Sequence, residues 1–420
     1  MPVVTGIDFG TTNSVVAQLQ PDGSVRTARF AIGAAEADVF RTVLCFWAEQ
    51  DGGRNLLHHA AGPAAIDAYL DDPLGSRLIM SMKTYLAQRS FTQTRIFGRP
   101  RTLEQLVALF LRQLPQAEPP GRARTVLGRP VRFAGETADD DLGELRLREA
   151  CRQAGLGEVD VAFEPEAAGY RFTRGLDTAA TVLIADFGGG TSDFSLLRFE
   201  PGAGTRVTPL ATDGVGIAGD SFDYRIIDHV VSPLLGKGGT YRVMGKDMPI
   251  PAEYFSAFAR WHRLSMMRTP RTLREIAEVA RTSARPEQLG TLIRIVQGEL
   301  GFHLYRAVSA AKAELSRADR TTLSFHHDGV AIEQSITRAD FEGWIAPDLA
   351  KLTATTDRVL AQAGLRDAEV DRVFLTGGTA FVPAVRALFE RRFGPARVAG
   401  GGEFVSVAEG LALIGADRAG

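Results

Sequence analysis

The sequence predicts an α/β protein built on mixed sheets, and three observations carry that expectation. A buried-type strand runs into a carboxylate, three glycines and a hydroxyl, and then a second strand, in Leu183-Ile-Ala-Asp-Phe-Gly-Gly-Gly-Thr-Ser-Asp-Phe-Ser-Leu-Leu197. The same design stands near the N-terminus as Val4-Thr-Gly-Ile-Asp-Phe-Gly-Thr-Thr-Asn-Ser-Val-Val16. Around both turns, short β-like runs alternate with stretches whose apolar residues recur at helical spacing.

The opening reads as a meander: Val3 to Phe9, Ser14 to Leu19 and Val25 to Phe30 are β-like, with Pro21-Asp-Gly23 as a tight turn. Val39 to Trp47 reads as a strand and Ala64 to Leu70 as a helix. A helix follows from Leu103 to Leu114, then a loop over Pro115 to Pro120. Arg124 to Leu127 is a short strand, Asp141 to Ala154 a helix and Val159 to Phe163 a strand. Glu164-Pro-Glu-Ala-Ala-Gly-Tyr170 starts the next helix, with Pro165 suited to its first turn. The second half repeats the plan. Strands flank Asp186, and Val207 to Leu210 leads through Asp213-Gly-Val-Gly-Ile-Ala-Gly-Asp220 into a helix from Phe222 to about Leu235. Pro249 to about Tyr305 reads as a mostly helical insertion and Arg306 to Ser316 as a helix. Leu323 to Phe325 and Val330 to Ile332 form a hairpin, and Arg338 to Ala363 a long helix. Val370 to Leu375 is a strand, Gly377-Gly-Thr379 a turn, Val382 to Phe393 a helix, and a further helix starts near Val405.

Composition narrows the function classes. A length of 420 residues favours two lobes, and 45% hydrophobic residues suit a large core. A net charge of −2 argues against nucleic acid or an anionic membrane as the main partner. Cys45 and Cys151 form no disulfide framework and match no metal spacing, so buried free thiols are expected. No signal-peptide pattern opens the chain and no run reaches membrane-spanning length, which gives a cytoplasmic expectation.

The two turns carry the chemistry. Glycine lets backbone N–H groups approach phosphate oxygens with no Cβ in the way. Threonine and serine hydroxyls add donors to the same anion. Asp8 and Asp186 would repel phosphate, so a cation belongs between them, and Mg²⁺ suits because it keeps several waters.

These residues resemble the actin-like ATPase superfamily, and most closely the nucleotide-binding domain of heat-shock chaperones of the DnaK type. The first phosphate motif resembles Gly6-Ile-Asp-Phe-Gly-Thr-Thr-Asn-Ser14 and the second Ala185-Asp-Phe-Gly-Gly-Gly-Thr-Ser-Asp193. The adenosine motif is similar to Val373-Phe-Leu-Thr-Gly-Gly-Thr-Ala-Phe-Val-Pro383, and the connecting helix to Phe163-Glu-Pro-Glu-Ala-Ala168. The likeness spans nearly the whole chain. It implies an actin-like ATPase (ribonuclease H-like) fold. Two lobes would each have a mixed sheet flanked by helices, plus peripheral subdomains. The expected bounds are 1–178, with an insertion at about 40–120, and 179–420, with a mostly helical insertion at about 232–305.

The resemblance also implies roles. Asp8 and Asp186 would hold Mg²⁺ through its waters. Gly10, Thr11, Thr12 and Asn13 would meet the phosphates of ATP or ADP from one lobe, and Gly188, Gly189, Gly190 and Thr191 from the other. Lys83, in Ser81-Met-Lys-Thr-Tyr-Leu86, stands where the family keeps a catalytic lysine, and would stabilise charge on the transferring phosphoryl group. Glu164 and Asp193 would order the attacking water and the hydration shell, completing a catalytic set of Lys83, Glu164, Thr191 and Asp193. Lys312, Ser316, Gly219 and Asp220 would face the nucleotide, with Gly377, Gly378, Thr379 and Phe381 around the base. The chain departs from the family at Ser309, where an acidic ribose contact is common, and at Ala313 and Phe381, where arginines are common. Phe404 replaces an acid. A phenyl ring can stack on a purine, but those charged hydrogen bonds are gone. The chain given stops at Gly420, where a full chaperone continues into a peptide-binding domain, a pattern similar to the YegD-like branch.

Other signals read more plainly. Gly214-Val-Gly-Ile-Ala-Gly219 matches the dinucleotide fingerprint but follows two phosphate turns that such an enzyme does not need. His58-His59 and His326-His327 lack partners at ligand spacing and read as loop or surface residues. The Trp261 to Met267 stretch reads as packing within the insertion, Arg268 to Arg274 as a solvated face, and Gly400-Gly-Gly402 as a loop. The expected function is slow hydrolysis of Mg-ATP that drives a conformational switch. It would be read by an unidentified protein partner or co-chaperone, with a monomer rather than a filament as the working form. A sugar kinase and a filament-forming ATPase on the same fold stay open as alternatives.

Overall fold

A computed structural model describes residues 4–32, 35–51, 54–72, 75–114, 124–133, 137–173, 178–200, 206–259, 264, 267–400 and 405–418. The sequence-based expectations for the loop at 115–120, for Trp261 and Met266, for Gly401-Gly402 and for Phe404 lie outside these residues. The chain divides into two compact units: Met1–Ala218 with Ala350–Gly420, and Gly219–Leu349.

The first unit contains two mixed sheets with the same plan. In one, Val4–Phe9 pairs antiparallel with Asn13–Leu19, which pairs antiparallel with Val25–Thr27. On its other side Val4–Phe9 pairs in parallel with Arg124–Arg129, which pairs in parallel with Asp160–Phe163. In the other, Ala180–Phe187 pairs antiparallel with Ser192–Glu200, which pairs antiparallel with Arg206–Val215. Ala180–Phe187 then pairs in parallel with Arg372–Thr376, and that strand with Val398–Gly400. The repeat read in the sequence is thus a repeat of topology, and the fold is that of the actin-like ATPases. Ala180–Ala185 is buried at every position, as expected for a central strand covered on both faces.

Helices tie the two sheets together through one apolar cluster. It joins Val4 and Val126 of the first sheet to Ile184, Leu197 and Phe374 of the second, by way of Ala167, Ala168, Leu411 and Ile414. The helices supplying those last residues, Glu164–Thr173 and Ser406–Asp417, approach closely because Gly410 lacks a side chain. A Cβ there would lie 1.8 Å from the Ala167 carbonyl oxygen. Helix Asp140–Ala154 has a full set of end signals. Asp139 caps its N-terminus by accepting from the Leu142 N–H, Asp140 and Asp141 fill the first turn, and Gly155 ends it at φ 87°. Helix Leu103–Leu111 starts with a reciprocal Thr102–Gln105 capping box.

The second unit holds helices Gly219–Ile226, Pro270–Thr282, Pro286–Gln297 and Gly301–Leu315, with hairpins Thr240–Pro249 and Arg320–Thr337. The Thr240–Pro249 hairpin was not anticipated in the sequence. Nor were the hairpins Val43–Ala61 and Gln93–Thr102. His58 and His59, read as loop or surface residues, lie on the strand Arg54–Ala61, with His59 exposed at the surface and His58 stacked on Trp47. His326 and His327 end the strand Arg320–His327. Both cysteines are buried free thiols. Among the described residues no helix is long and apolar enough to cross a membrane.

Candidate functional site

The first glycine turn leaves the end of Val4–Phe9. Pairing puts Asp8 opposite Val15 and Phe9 opposite Ser14, so the chain must reverse over Gly10 to Thr12. A side chain on Gly10 would place its Cβ 2.1 Å from the Asn13 carbonyl oxygen, so only glycine fits. The outer side of the turn is pinned. The Thr42 N–H donates to Thr12 O at 2.9 Å, and the Ser14 and Thr42 hydroxyls meet at 2.8 Å. Arg41 donates to the Asn13 side chain at 3.3 Å.

The second turn is built alike. Asp186 and Asp193 face each other across the antiparallel pair, and the Gly188 N–H donates to Thr191 O at 2.9 Å. The Thr191 hydroxyl donates to Asp193 Oδ2 at 3.2 Å, and the Ser192 hydroxyl to Ile217 O at 2.5 Å. Gly377 packs under this turn. Its φ is 83°, and a Cβ would stand 2.1 Å from Phe187 O. The two turns face each other, since a Cβ on Gly190 would lie 3.8 Å from Thr11 Cγ2.

Lys83 sits in the tight turn Met82–Tyr85 and donates to Glu164 Oε1 at 2.5 Å, with both side chains 8% exposed. Glu164 opens its helix where Pro165 fixes the first turn. Gly128, on the neighbouring strand, leaves it room, because a Cβ there would be 3.0 Å from Glu164 Cγ.

Asp8, Asp186, Asp193 and Glu164 act on one another's charge, with the Lys83 ammonium among them. Burial first, then the Glu164 and Asp186 charges, hold Asp8 well above the usual carboxylate range, against the pull of Lys83. Burial, then Glu164 and Asp193, push Asp186 up to about 8. Burial and then Glu164 push Asp193 up to about 7, although Lys83, Thr191 and the Arg132 backbone N–H favour its anion. For Lys83, burial pulls downward, but Glu164 and then Asp8 outweigh it and hold the ammonium above its ordinary value.

Four carboxylates sharing one ammonium make a site with spare affinity for a cation. Among the described residues no three His, Cys, Asp or Glu side chains gather closely enough to ligate an ion directly. Asp193 Oδ1 is buried without a hydrogen-bond partner. Such a donor set fits a divalent cation that keeps its own waters.

The residues expected around the nucleoside fall into two groups. Gly377, Gly378, Thr379 and Phe381 follow the strand Arg372–Thr376 in the first unit, with Thr379 buried and Phe381 48% exposed. Gly219, Asp220, Lys312 and Ser316 lie in the second unit. There Lys312 Nζ donates to Gly219 O at 3.0 Å and pairs with Asp223 Oδ1 at 2.9 Å. The Tyr305 hydroxyl donates to Asp220 at 2.8 Å, and the Ser316 hydroxyl to Lys312 O at 3.4 Å. Asp223 and Tyr305 were not singled out in the sequence. Ser309, noted there as the loss of an acid, donates to buried Asp223 of another helix at 2.7 Å. Gly214 of the fingerprint-like run ends a strand, paired opposite Asp193.

A family model described as "Hsp70 protein" matches residues 141–240 and 300–419, just over half of the chain. The matched blocks contain Glu164, Asp186, Gly188–Asp193, Lys312, Ser316 and Gly377–Phe381, while Asp8, Gly10–Asn13 and Lys83 lie outside them.

Proposed function

Because this chain belongs to the Hsp70 family of ATP-binding, chaperone-type ATPases, we propose that it binds Mg-ATP at the facing glycine turns and hydrolyses the terminal phosphoanhydride slowly, as a conformational switch. The observation that carries this reading is the convergence of Lys83, Glu164, Asp8, Asp186 and Asp193 beside two Gly-Thr turns in contact distance.

The backbone N–H groups and hydroxyls at Gly10–Asn13 and Gly188–Thr191 bind the β- and γ-phosphates of the substrate. Asp8 and Asp186 would hold Mg²⁺, which would supply neutralisation of phosphate charge when bound. Lys83, kept protonated by Glu164, stands ready for negative charge on the transferring phosphoryl group. Asp193, whose Oδ1 lacks a partner, and Glu164 orient the attacking water. Gly377–Phe381 hold the nucleoside, the ring of Phe381 by stacking.

Loss of the γ-phosphate removes what both turns share, so the lobes expected at 1–178 and 179–420 relax and change a surface that a protein partner reads. The test is calorimetric titration of Mg-ATP into wild type and Asp186→Ala. The substitution should weaken binding at least about tenfold while circular dichroism stays unchanged. Equal affinity in the two proteins would remove the assigned site.

A further inference from the structure

We infer that Arg146 is a positioning residue for Lys83: its guanidinium fixes the loop that presents the ammonium to the carboxylate cluster. The inference rests on the nucleotide reading above and deepens it.

Lys83 is carried on a single short turn. The chain enters it through Ser81 at φ 56°, a left-handed value that non-glycine residues seldom adopt. The turn holds itself by two hydrogen bonds, Thr84 N–H to Ser81 O and Leu86 N–H to Lys83 O. Beyond it no strand or helix begins until Gln93. The backbone satisfies this loop only in part: the Gln88 N–H donates to Tyr85 O and the Phe91 N–H to Gln88 O, both at 3.1 Å, and the carbonyls still have lone pairs to fill.

Arg146 supplies the donors. It projects from the helix Asp140–Ala154, and its side chain is 11% exposed. Nη1 reaches the carbonyls of Tyr85 at 3.3 Å, Leu86 at 3.1 Å and Gln88 at 3.1 Å, and Nη2 donates to Phe91 O at 2.8 Å. Nε pairs with Glu104 of the neighbouring helix at 3.2 Å, which sets the plane of the fork. No other side chain offers five donors in a fixed plane, and lysine offers three from one point. The start of the same helix adds a second tether, because the Asp139 N–H donates to Ala87 O at 3.0 Å.

Lys83 must meet Glu164, 81 residues away in sequence, at 2.5 Å. A misplacement of about 1 Å at a reacting group costs on the order of a hundredfold in rate. Releasing four carbonyls directly behind Lys83 therefore acts on the rate through the position of the ammonium. Nucleotide binding, which rests on the glycine turns, is spared.

The test is a double-mutant cycle read by single-turnover ATP hydrolysis with Mg²⁺. Arg146→Met should lower the rate at least about tenfold with the Mg-ATP Kd held within about threefold, and Arg146→Lys should fall between it and wild type. In a Lys83→Met background, Arg146→Met should change the residual rate by less than about twofold. Arg152→Met, an exposed position on the same helix, should leave the rate unchanged. An equal fall in both backgrounds would make Arg146 merely structural, and an unchanged rate in the Lys83-containing protein would remove its role. If Arg146→Met does not fold, Arg146→Lys carries the same two arms. A wild type that neither binds nor hydrolyses Mg-ATP would sink the nucleotide reading itself, and this role with it. Failure of the cycle sinks this role alone.

Discussion

Lys83 and Glu164 are each unaffordable alone in their surroundings. Breaking a buried ion pair costs about 3–5 kcal/mol, because the remaining charge has neither water nor partner. Here Asp8 and Asp193 stand within range of the same ammonium, so the lysine serves several carboxylates at once. The residue scale also separates chemistry from packing. Cys151 is fully buried and its thiol is pushed up to about 12, from an ordinary value of 9.0, with no role in the site. The native state thus keeps a proton that the unfolded chain gives up. The contribution is intact below about pH 9 and is lost as pH rises toward about 12. Native protein at pH 8 should resist thiol reagents at Cys151, and urea midpoints should fall between pH 8.5 and 10.5 by more in wild type than in Cys151→Ala. An equal fall in the two would discount the thiol.

At the scale of elements, the contact between helices Glu164–Thr173 and Ser406–Asp417 is set by one missing side chain. Gly410→Ala would drive a methyl into the Ala167 carbonyl, and overpacking of this kind costs about 1–3 kcal/mol. Urea unfolding should show that loss, and it should also shift Glu164, which begins the displaced helix. An unchanged midpoint would mean the helices part freely. Elements were legible where end signals were strong. Asp139 through Gly155 spells one helix from cap to cap, and Arg338–Ala363 has the bounds its pattern suggested. Two of the hairpins that escaped notice turn on Phe97-Gly98 and Met244-Gly245. There a bulky residue, at φ 46° and 48°, takes the left-handed place that asparagine or aspartate usually marks. His58-His59 carried no strand signal of their own. In the fold, His58 stacks on Trp47 and His59 on Phe46 across the strand pair.

For the whole molecule, the two facing turns were readable because each compresses its pattern into nine contiguous residues or so. Asp223 and Tyr305 were not. Asp223 meets Ser309 and Lys312, and Tyr305 meets Asp220, only once the fold brings separate helices together, and no spacing in the chain announces that. Arg146 escaped for a different reason. An arginine amid Glu144, Arg148 and Glu149 reads as one more solvated charge until its four carbonyls are seen. A ligand that binds only the folded state should stabilise all of it. Free Mg-ATP at about a hundred times its Kd should add about 2.7 kcal/mol. ATP with excess EDTA should give a clearly smaller gain in urea unfolding, and equal gains would argue against a metal-dependent site.

The strand Val4–Phe9 lies at the centre of its sheet, and the helix Ser406–Asp417 packs on it and on Arg124–Arg129. This strand is therefore roofed by residues made hundreds of codons later. Nascent chains short of Asp417 would hold an apolar sheet face open, and with it a risk of misassociation, until that helix emerges.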